Sequence, residues 1–264
     1  MNRRWLVCGA LGFSAVADAQ LVRLDLGDKW FVQSSSLVKA GGDSLSNPAF
    51  GTNGWYPTKV PSTVLATLVE NKVYPDPYVG MNLRSIPGTT YRVGRNFANL
   101  PMADDSPFRV PWWYRTTFQL PQGMRGKRVA LHFDGINYRA NVWLNGRQIA
   151  RSDSVVGTYR LHEIDVTNDV KATGPNILAV EVTAPDVLDL GMTWVDWNPA
   201  PPDKDMGLWR PVYVTASGPV TLRNPQVIST VDTATLKSAE LTVTVRLTNQ
   251  TDRAMKGTVR GRIT

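Results

Sequence analysis

The chain of 264 residues carries one cysteine, Cys8, and two histidines, His132 and His162. Cys8 falls inside a segment that reads as a secretory leader. Arg3 and Arg4 give a positive start, Trp5 to Val16 an apolar stretch, and Ala17-Asp18-Ala19 a small-residue cleavage signal before Gln20. As a membrane anchor that stretch is too short, and Gly9, Gly12 and Ser14 interrupt it. Cys8 also stands too early, in the wrong small-residue context, for lipoprotein cleavage. The expected mature protein, secreted or periplasmic, then has no cysteine, which excludes disulfides, thiolate catalysis and cysteine-ligated metal. Two isolated histidines have no metal-site spacing. The serines at 34–36 and Ser44 have neither a nearby histidine nor a Gly-x-Ser-x-Gly elbow, so serine nucleophile chemistry has no support. The formal charge of +7 becomes +6 when Arg3, Arg4 and Asp18 are removed (7 − 2 + 1), and no basic run with interleaved aromatics marks a nucleic-acid face. No metal, no cofactor and no nucleic acid is expected, and no membrane contact once the leader is cut.

What is present is a β pattern. From Trp30 onward the hydrophobic period is mostly two, with turn residues at short intervals, which predicts an all-β sandwich on the 264 − 19 = 245 residues beyond the leader. Strands are predicted at Tyr114 to Leu120, Arg128 to Phe133, Ala140 to Leu144, Arg147 to Arg151, Leu161 to Val166 and Asn176 to Thr183. Asn145-Gly146 between alternating apolar residues predicts a two-residue type I′ hairpin. Trp112 and Trp113 must point to opposite faces of their strand. One helix is predicted at Ser62 to Asn71, after Pro61, with Val64, Leu65, Leu68 and Val69 on one face and a place at one end of the sandwich. Asn71 to Arg109 reads as a long surface loop held by Tyr74, Tyr78, Met81, Tyr91 and Phe97. Trp209 to Ala216 closes a first domain (20–218), and Ser217-Gly218-Pro219 punctuates the chain. Strands at Val227 to Val231, Ala239 to Asn249 and Lys256 to Ile263 then begin a second sandwich, 219–264. Three strands cannot close it, so the chain reads as part of a longer gene product.

One loop stands out. Val195 to Val212 contains Asp196, Trp197 and three prolines within positions 199–202, and it feeds a strand. Proline fixes φ and withholds a backbone donor, so the path is stiff and non-regular. A carboxylate beside an indole offers acceptors to hydroxyls and an apolar face to a ring, as a sugar requires. The plainer alternatives are that Asp196 caps a turn and Trp197 packs on the sandwich edge. The pairs Asp203/Asp205 and Asp186/Asp189, with loop spacings of two and three, read as ordinary solvated carboxylates.

Four segments together resemble the amino-terminal half of glycoside hydrolase family two. They are Val60-Pro61-Ser62-Thr63-Val64 with Tyr74-Pro75-Asp76-Pro77-Tyr78, then Trp112 to Phe118, then Phe133 to Gly146, then Gly207-Leu208-Trp209-Arg210-Pro211-Val212. Within that family, Asp-Trp-Asn-Pro-Ala-Pro-Pro-Asp at the loop is most similar to exo-β-D-glucosaminidases, which act on chitosan oligosaccharides. β-Mannosidases, which carry Asp-Trp-Gly-Pro there, come next. The resemblance implies a jelly-roll, galactose-binding-like sandwich followed by the start of an immunoglobulin-like one. It also implies that the loop reaches a following barrel, where Asp196 hydrogen-bonds the sugar and Trp197 walls the pocket. A retaining glycosidase needs two carboxyl groups about 5 Å apart. In this family both come from a (β/α)₈ barrel of about 250 residues, whereas 264 − 216 = 48 positions follow residue 216 here. No catalytic residue is therefore assigned, the barrel is an expected partner in cis, and the chain alone is expected to be inactive. Glucosaminide against mannoside or galactoside choice stays open, as does a free-standing carbohydrate-binding module or a sandwich that docks another protein.

Overall fold

The computed structural model describes residues 22–89, 101–192 and 200–261. The leader, Tyr91, Phe97, Asp196 and Trp197 lie outside the described residues. In chain order the elements begin with β1 (Val22–Asp25), β2 (Trp30–Ser34), α1 (Gly42–Leu45), β3 (Tyr56–Thr58), β4 (Ser62–Thr63) and α2 (Val64–Glu70). Then come β5 (Trp112–Phe118), β6 (Arg128–Phe133), β7 (Arg139–Leu144), β8 (Arg147–Ala150), β9 (His162–Asp165) and β10 (Asn176–Thr183). The remainder are β11 (Gly207–Leu208), β12 (Val212–Ser217), β13 (Val220–Val231) and β14 (Ala239–Asn249). The chain divides into two compact units, one spanning Leu21–Ser217 and the other containing Gly218–Thr264.

In the first unit a four-stranded sheet, β1-β12-β6-β9, faces a six-stranded sheet, β3-β2-β5-β10-β7-β8. Neighbouring strands run antiparallel, as the β10 pairings with β5 and β7 illustrate. Between the sheets lie Trp30, Val32, Tyr114, Leu178, Val180 and Val182 from one side and Val129, Leu131, Phe133 and Val214 from the other, all buried. Each such side chain contributes roughly 1.5–3 kcal/mol by leaving water. This is the all-β sandwich predicted from period-two patterning. The hairpin at Asn145-Gly146 has φ of 54° and 90°, the two positive values of a type I′ turn.

The outer face of the six-stranded sheet is covered as well. Residues 35–55 fold over it, so Trp112 joins the main core while Trp113 packs with Leu45, Trp55 and Ala179 in a second cluster. The Trp143 ring lies against Gly42, where an added Cβ would overlap it. Arg115 is buried there. Its guanidinium donates to the carbonyls of Leu45 (2.7 Å), Asn47 (3.2 Å) and Phe50 (3.0 Å), tying the covering segment down.

Helix α2 starts two residues later than the sequence predicts, because Thr63 is its N-cap: its side chain accepts from Ala66 N at 3.1 Å. Val64, Leu65 and Leu68 enter the main core, with Val69 packed at its margin. The loop after α2 is anchored differently from expectation. Tyr78 and Met81 are exposed, whereas Ile86 and Phe108 are buried; Phe108 meets Tyr74 edge-on and stacks on Trp112. The predicted closing strand, Trp209 to Ala216, forms only from Val212, as β12; Pro211, just before it, has no amide hydrogen for a ladder.

In the second unit β13 pairs with β14, with an irregularity between Arg223 and Gln226. The predicted strand from Lys256 to Ile263 is not formed over residues 256–261. Val227, Leu241, Val243 and Leu247 are substantially exposed on this hairpin, so its apolar alternation is written in the chain without being buried by the described residues. No helix among the described residues is long and apolar enough to cross a membrane.

Candidate functional site

The loop singled out by sequence leaves β10 and returns through β11. Its described parts are the outgoing flank, residues 184–192, and the returning flank, residues 200–206. Asp196 and Trp197 fall between them, outside the described residues, so the geometry available is that of the two attachments.

The outgoing flank is held near the surface. Asp189 forms an ion pair with Arg139 at the start of β7 and accepts from Asp186 N at 2.8 Å. Gly191 N donates to Asp189 O at 2.9 Å, closing a tight turn around this carboxylate. Leu188 and Leu190 stand exposed on either side.

The returning flank is built into the core. Asp203 is fully buried. One carboxyl oxygen accepts from Leu65 N (2.8 Å) in the first turn of α2, the other from Asp205 N (3.0 Å). Val64 N donates to Met206 O at 2.8 Å, so two of the helix's first amides are taken by the loop. Asn137 holds the same segment from the opposite side. Its Nδ2 donates to Lys204 O (2.7 Å) and Asp205 O (2.9 Å), and its Oδ1 accepts from Thr158 Oγ1 (2.8 Å). The backbones of Asn137 and Gly207 exchange two bonds, of 2.9 and 2.8 Å. Gly207, at φ +152°, has no room for a Cβ, which would stand 2.5 Å from Tyr114 Oη and 2.6 Å from Ser62 O. Trp209 Nε1 donates to Thr158 O at 3.0 Å, fastening the start of the exit as well.

Lys204 joins the two flanks. Its buried ammonium donates to Pro185 O at 3.4 Å; burial pushes its pKa down, against the opposing pull of Asp186 and Asp189. Burial, reinforced by the charge of Asp205, raises Asp203 to about 7 despite the amides it accepts. Burial likewise pushes the Tyr114 phenol well above its usual value, with Asp203 adding to the effect.

Asp203 therefore departs from the solvated surface carboxylate that its loop spacing predicts. Its helix amide lies 138 residues away in sequence, so no local pattern announces the bond. Asn137 sits inside the Phe133 to Gly146 segment quoted above, but its role as a loop clamp has no signature of its own. Asp205 is partly buried beside Asp203, and Asp186 is exposed. Of the histidines, His132 Nε2 pairs with Thr215 Oγ1 (2.8 Å) and its ring stacks on Tyr213, whereas His162 Nε2 is buried without a hydrogen-bond partner. Among the described residues no group of three His, Cys, Asp or Glu side chains is placed to hold a metal ion. The arrangement does no acid–base chemistry, since Asp203 is sealed and both its oxygens are occupied. What it does is hold one end of a loop rigidly.

Residues 33–190 match the glycosyl hydrolase 2 galactose-binding domain-like family. The chain belongs to that family. This family-two domain is 39% identical over 233 residues to the exo-β-D-glucosaminidase of Streptomyces avermitilis, covering 88% of this chain and 24% of that protein. It is 30% identical over 223 residues to a mannosylglycoprotein endo-β-mannosidase of Lilium longiflorum, covering 76% of this chain and 22% of the relative. The crystal structure of the Amycolatopsis orientalis exo-chitosanase superposes with a TM-score of 0.73 at 35% identity, over 87% of this chain and 25% of that one. The family-two domain thus spans about a quarter of the length of the relatives it matches.

Proposed function

We propose that this chain is the amino-terminal part of a secreted exo-β-D-glucosaminidase acting on chitosan oligosaccharides. The likeness to exo-β-D-glucosaminidases over 88% of the chain, at 39% identity, is the observation that carries the reading. Asp196 accepts hydrogen bonds from hydroxyls of the sugar next to the scissile bond, and Trp197 supplies an apolar wall. The acid/base and nucleophile belong to a (β/α)₈ barrel elsewhere in the intact enzyme, and β13–β14 opens an immunoglobulin-like domain. Residues 1–19 act as the export leader.

Contacts that tighten as charge develops in the ring act on the transition state as well as on binding. In the intact enzyme, Asp196→Ala is expected to raise KM and lower kcat on p-nitrophenyl β-D-glucosaminide. Unchanged kinetics would make Asp196 a turn cap, and faster turnover of the β-mannoside than the glucosaminide would replace the proposed substrate.

A further inference from the structure

We propose that Asn53 is a site of spontaneous covalent modification, losing its side-chain amide through a cyclic imide to give aspartate and isoaspartate. The same dipeptide at Asn145-Gly146 is kept inert by the tertiary structure.

The sequence contains two Asn-Gly pairs, Asn53-Gly54 and Asn145-Gly146. Such a pair is the least hindered place for a backbone amide to attack a side chain, because glycine has no Cβ to block the approach and leaves the torsions free. By sequence the two pairs rank equally. In the reaction the glycine nitrogen bonds to Cγ of the asparagine and the Cγ–Nδ2 bond breaks, so the side-chain nitrogen leaves as ammonia, taking the hydrogen of the glycine amide. Water then opens the ring. Cleavage at Cγ gives aspartate, whereas cleavage at the main-chain carbonyl gives isoaspartate, with the backbone routed through Cβ. Either product carries a carboxylate where a neutral amide stood.

The attack needs an unoccupied glycine amide and a side chain that can turn toward it, and Asn145-Gly146 offers neither. Asn145 Oδ1 accepts from Ile177 N (3.0 Å), and its Nδ2 donates to Asp169 O and Asn176 Oδ1 (both 2.8 Å). Gly146 N donates to Ser46 Oγ at 2.9 Å. All four bonds must break before the ring can close.

Asn53 and Gly54 are both exposed. Among the described residues neither the Asn53 side chain nor Gly54 N has a hydrogen-bond partner. The turn from Thr52 to Trp55 has φ of +77° at Gly54, as a type II turn requires, and a Cβ added there would meet nothing within 4 Å. Its two fastenings are Trp55 N to Thr52 O (3.1 Å) and Gln33 Nε2 to Gly54 O (2.8 Å). Neither uses the attacking nitrogen or its target. Two residues on, Trp55 is buried in the cluster over the six-stranded sheet and meets Phe50 edge-on at 6.2 Å. Isoaspartate adds a main-chain atom inside this turn, so the closing bond and the seat of Trp55 are disturbed together.

The test is to hold the purified protein in warm, mildly alkaline buffer, which favours the deprotonated attacking amide, and to follow both sites by mass spectrometry of proteolytic peptides. Because four hydrogen bonds protect Asn145, Asn53 is expected to react roughly a hundredfold faster in the folded protein. In guanidinium the two rates are expected to converge. Equal rates in the folded protein, or an Asn53 that stays intact while the unfolded chain reacts, overturn the proposal. After the same incubation the wild-type protein is expected to melt at a lower temperature than Asn53→Gln, whose longer side chain closes the ring far more slowly. Unchanged melting of a modified sample would overturn the disturbance at Trp55.

Discussion

The two attachments of the loop are made by opposite physics. The outgoing flank hangs on a part-buried ion pair between Asp189 and Arg139 at the protein surface, flanked by exposed Leu188 and Leu190. The returning flank is held by buried amides, a sealed carboxyl and a glycine with no space beside it. Exposed ion pairs contribute little and are screened by salt, whereas a buried polar group deprived of its partner costs its full desolvation. The loop is thus fixed from its exit and merely steered at its start.

That contrast is open to direct attack. The largest effect is expected from Gly207→Ala, which drives a methyl onto the Tyr114 hydroxyl and the backbone of Ser62 and Thr63. A loss of about 4 kcal/mol or more is expected, seen as failure to accumulate folded protein or as a collapse of Tm. Next comes pH. Relative to Asp203→Asn, the wild-type chain is expected to lose up to about 4 kcal/mol of stability between pH 4 and 7, because Asp203 is raised to about 7 when folded. Denaturant titrations of both proteins at several pH values measure the difference, and parallel curves would mean that Asp203 ionises freely.

Asn137→Ala leaves the carbonyls of Lys204 and Asp205 and the Thr158 hydroxyl without their partner. About 3 kcal/mol is the expected cost by equilibrium unfolding. Smallest is Arg139→Ala, expected to cost under about 1 kcal/mol and to cost less still in high salt. A larger, salt-independent loss there would erase the asymmetry between the flanks.

The elements of the sandwich were legible because each follows from local chemistry. Asn145-Gly146 accepts two positive φ values, and β6 and β10 are found where predicted. The helix face Val64, Leu65, Leu68 was legible for the same reason. Legibility failed where burial depends on a distant partner. Tyr78 and Met81 look like anchors in sequence, yet Ile86 and Phe108 fill the available space instead. The strand predicted over Lys256 to Ile263 has the right alternation, but alternation forms a strand only where a neighbour supplies hydrogen bonds. The loop itself could be picked out by its prolines, carboxylate and indole. The residues that hold it could not, since Asp203 and Leu65 meet across 138 positions.

By itself the sequence determined the all-β class, the turn of the Asn145-Gly146 hairpin and, through four ordered motifs, the family. Those depend on side-chain period, on turn residues that tolerate particular φ values, and on long motifs read as text. Only the tertiary structure decided that Asp203 is a sealed clasp and not a surface charge, that Asn137 clamps the returning strand, and that Trp113 is roofed by residues 35–55. A carboxylate's ionisation and an amide's worth depend on what excludes water from them, and that is a property of the assembled sandwich, not of the residues next in line.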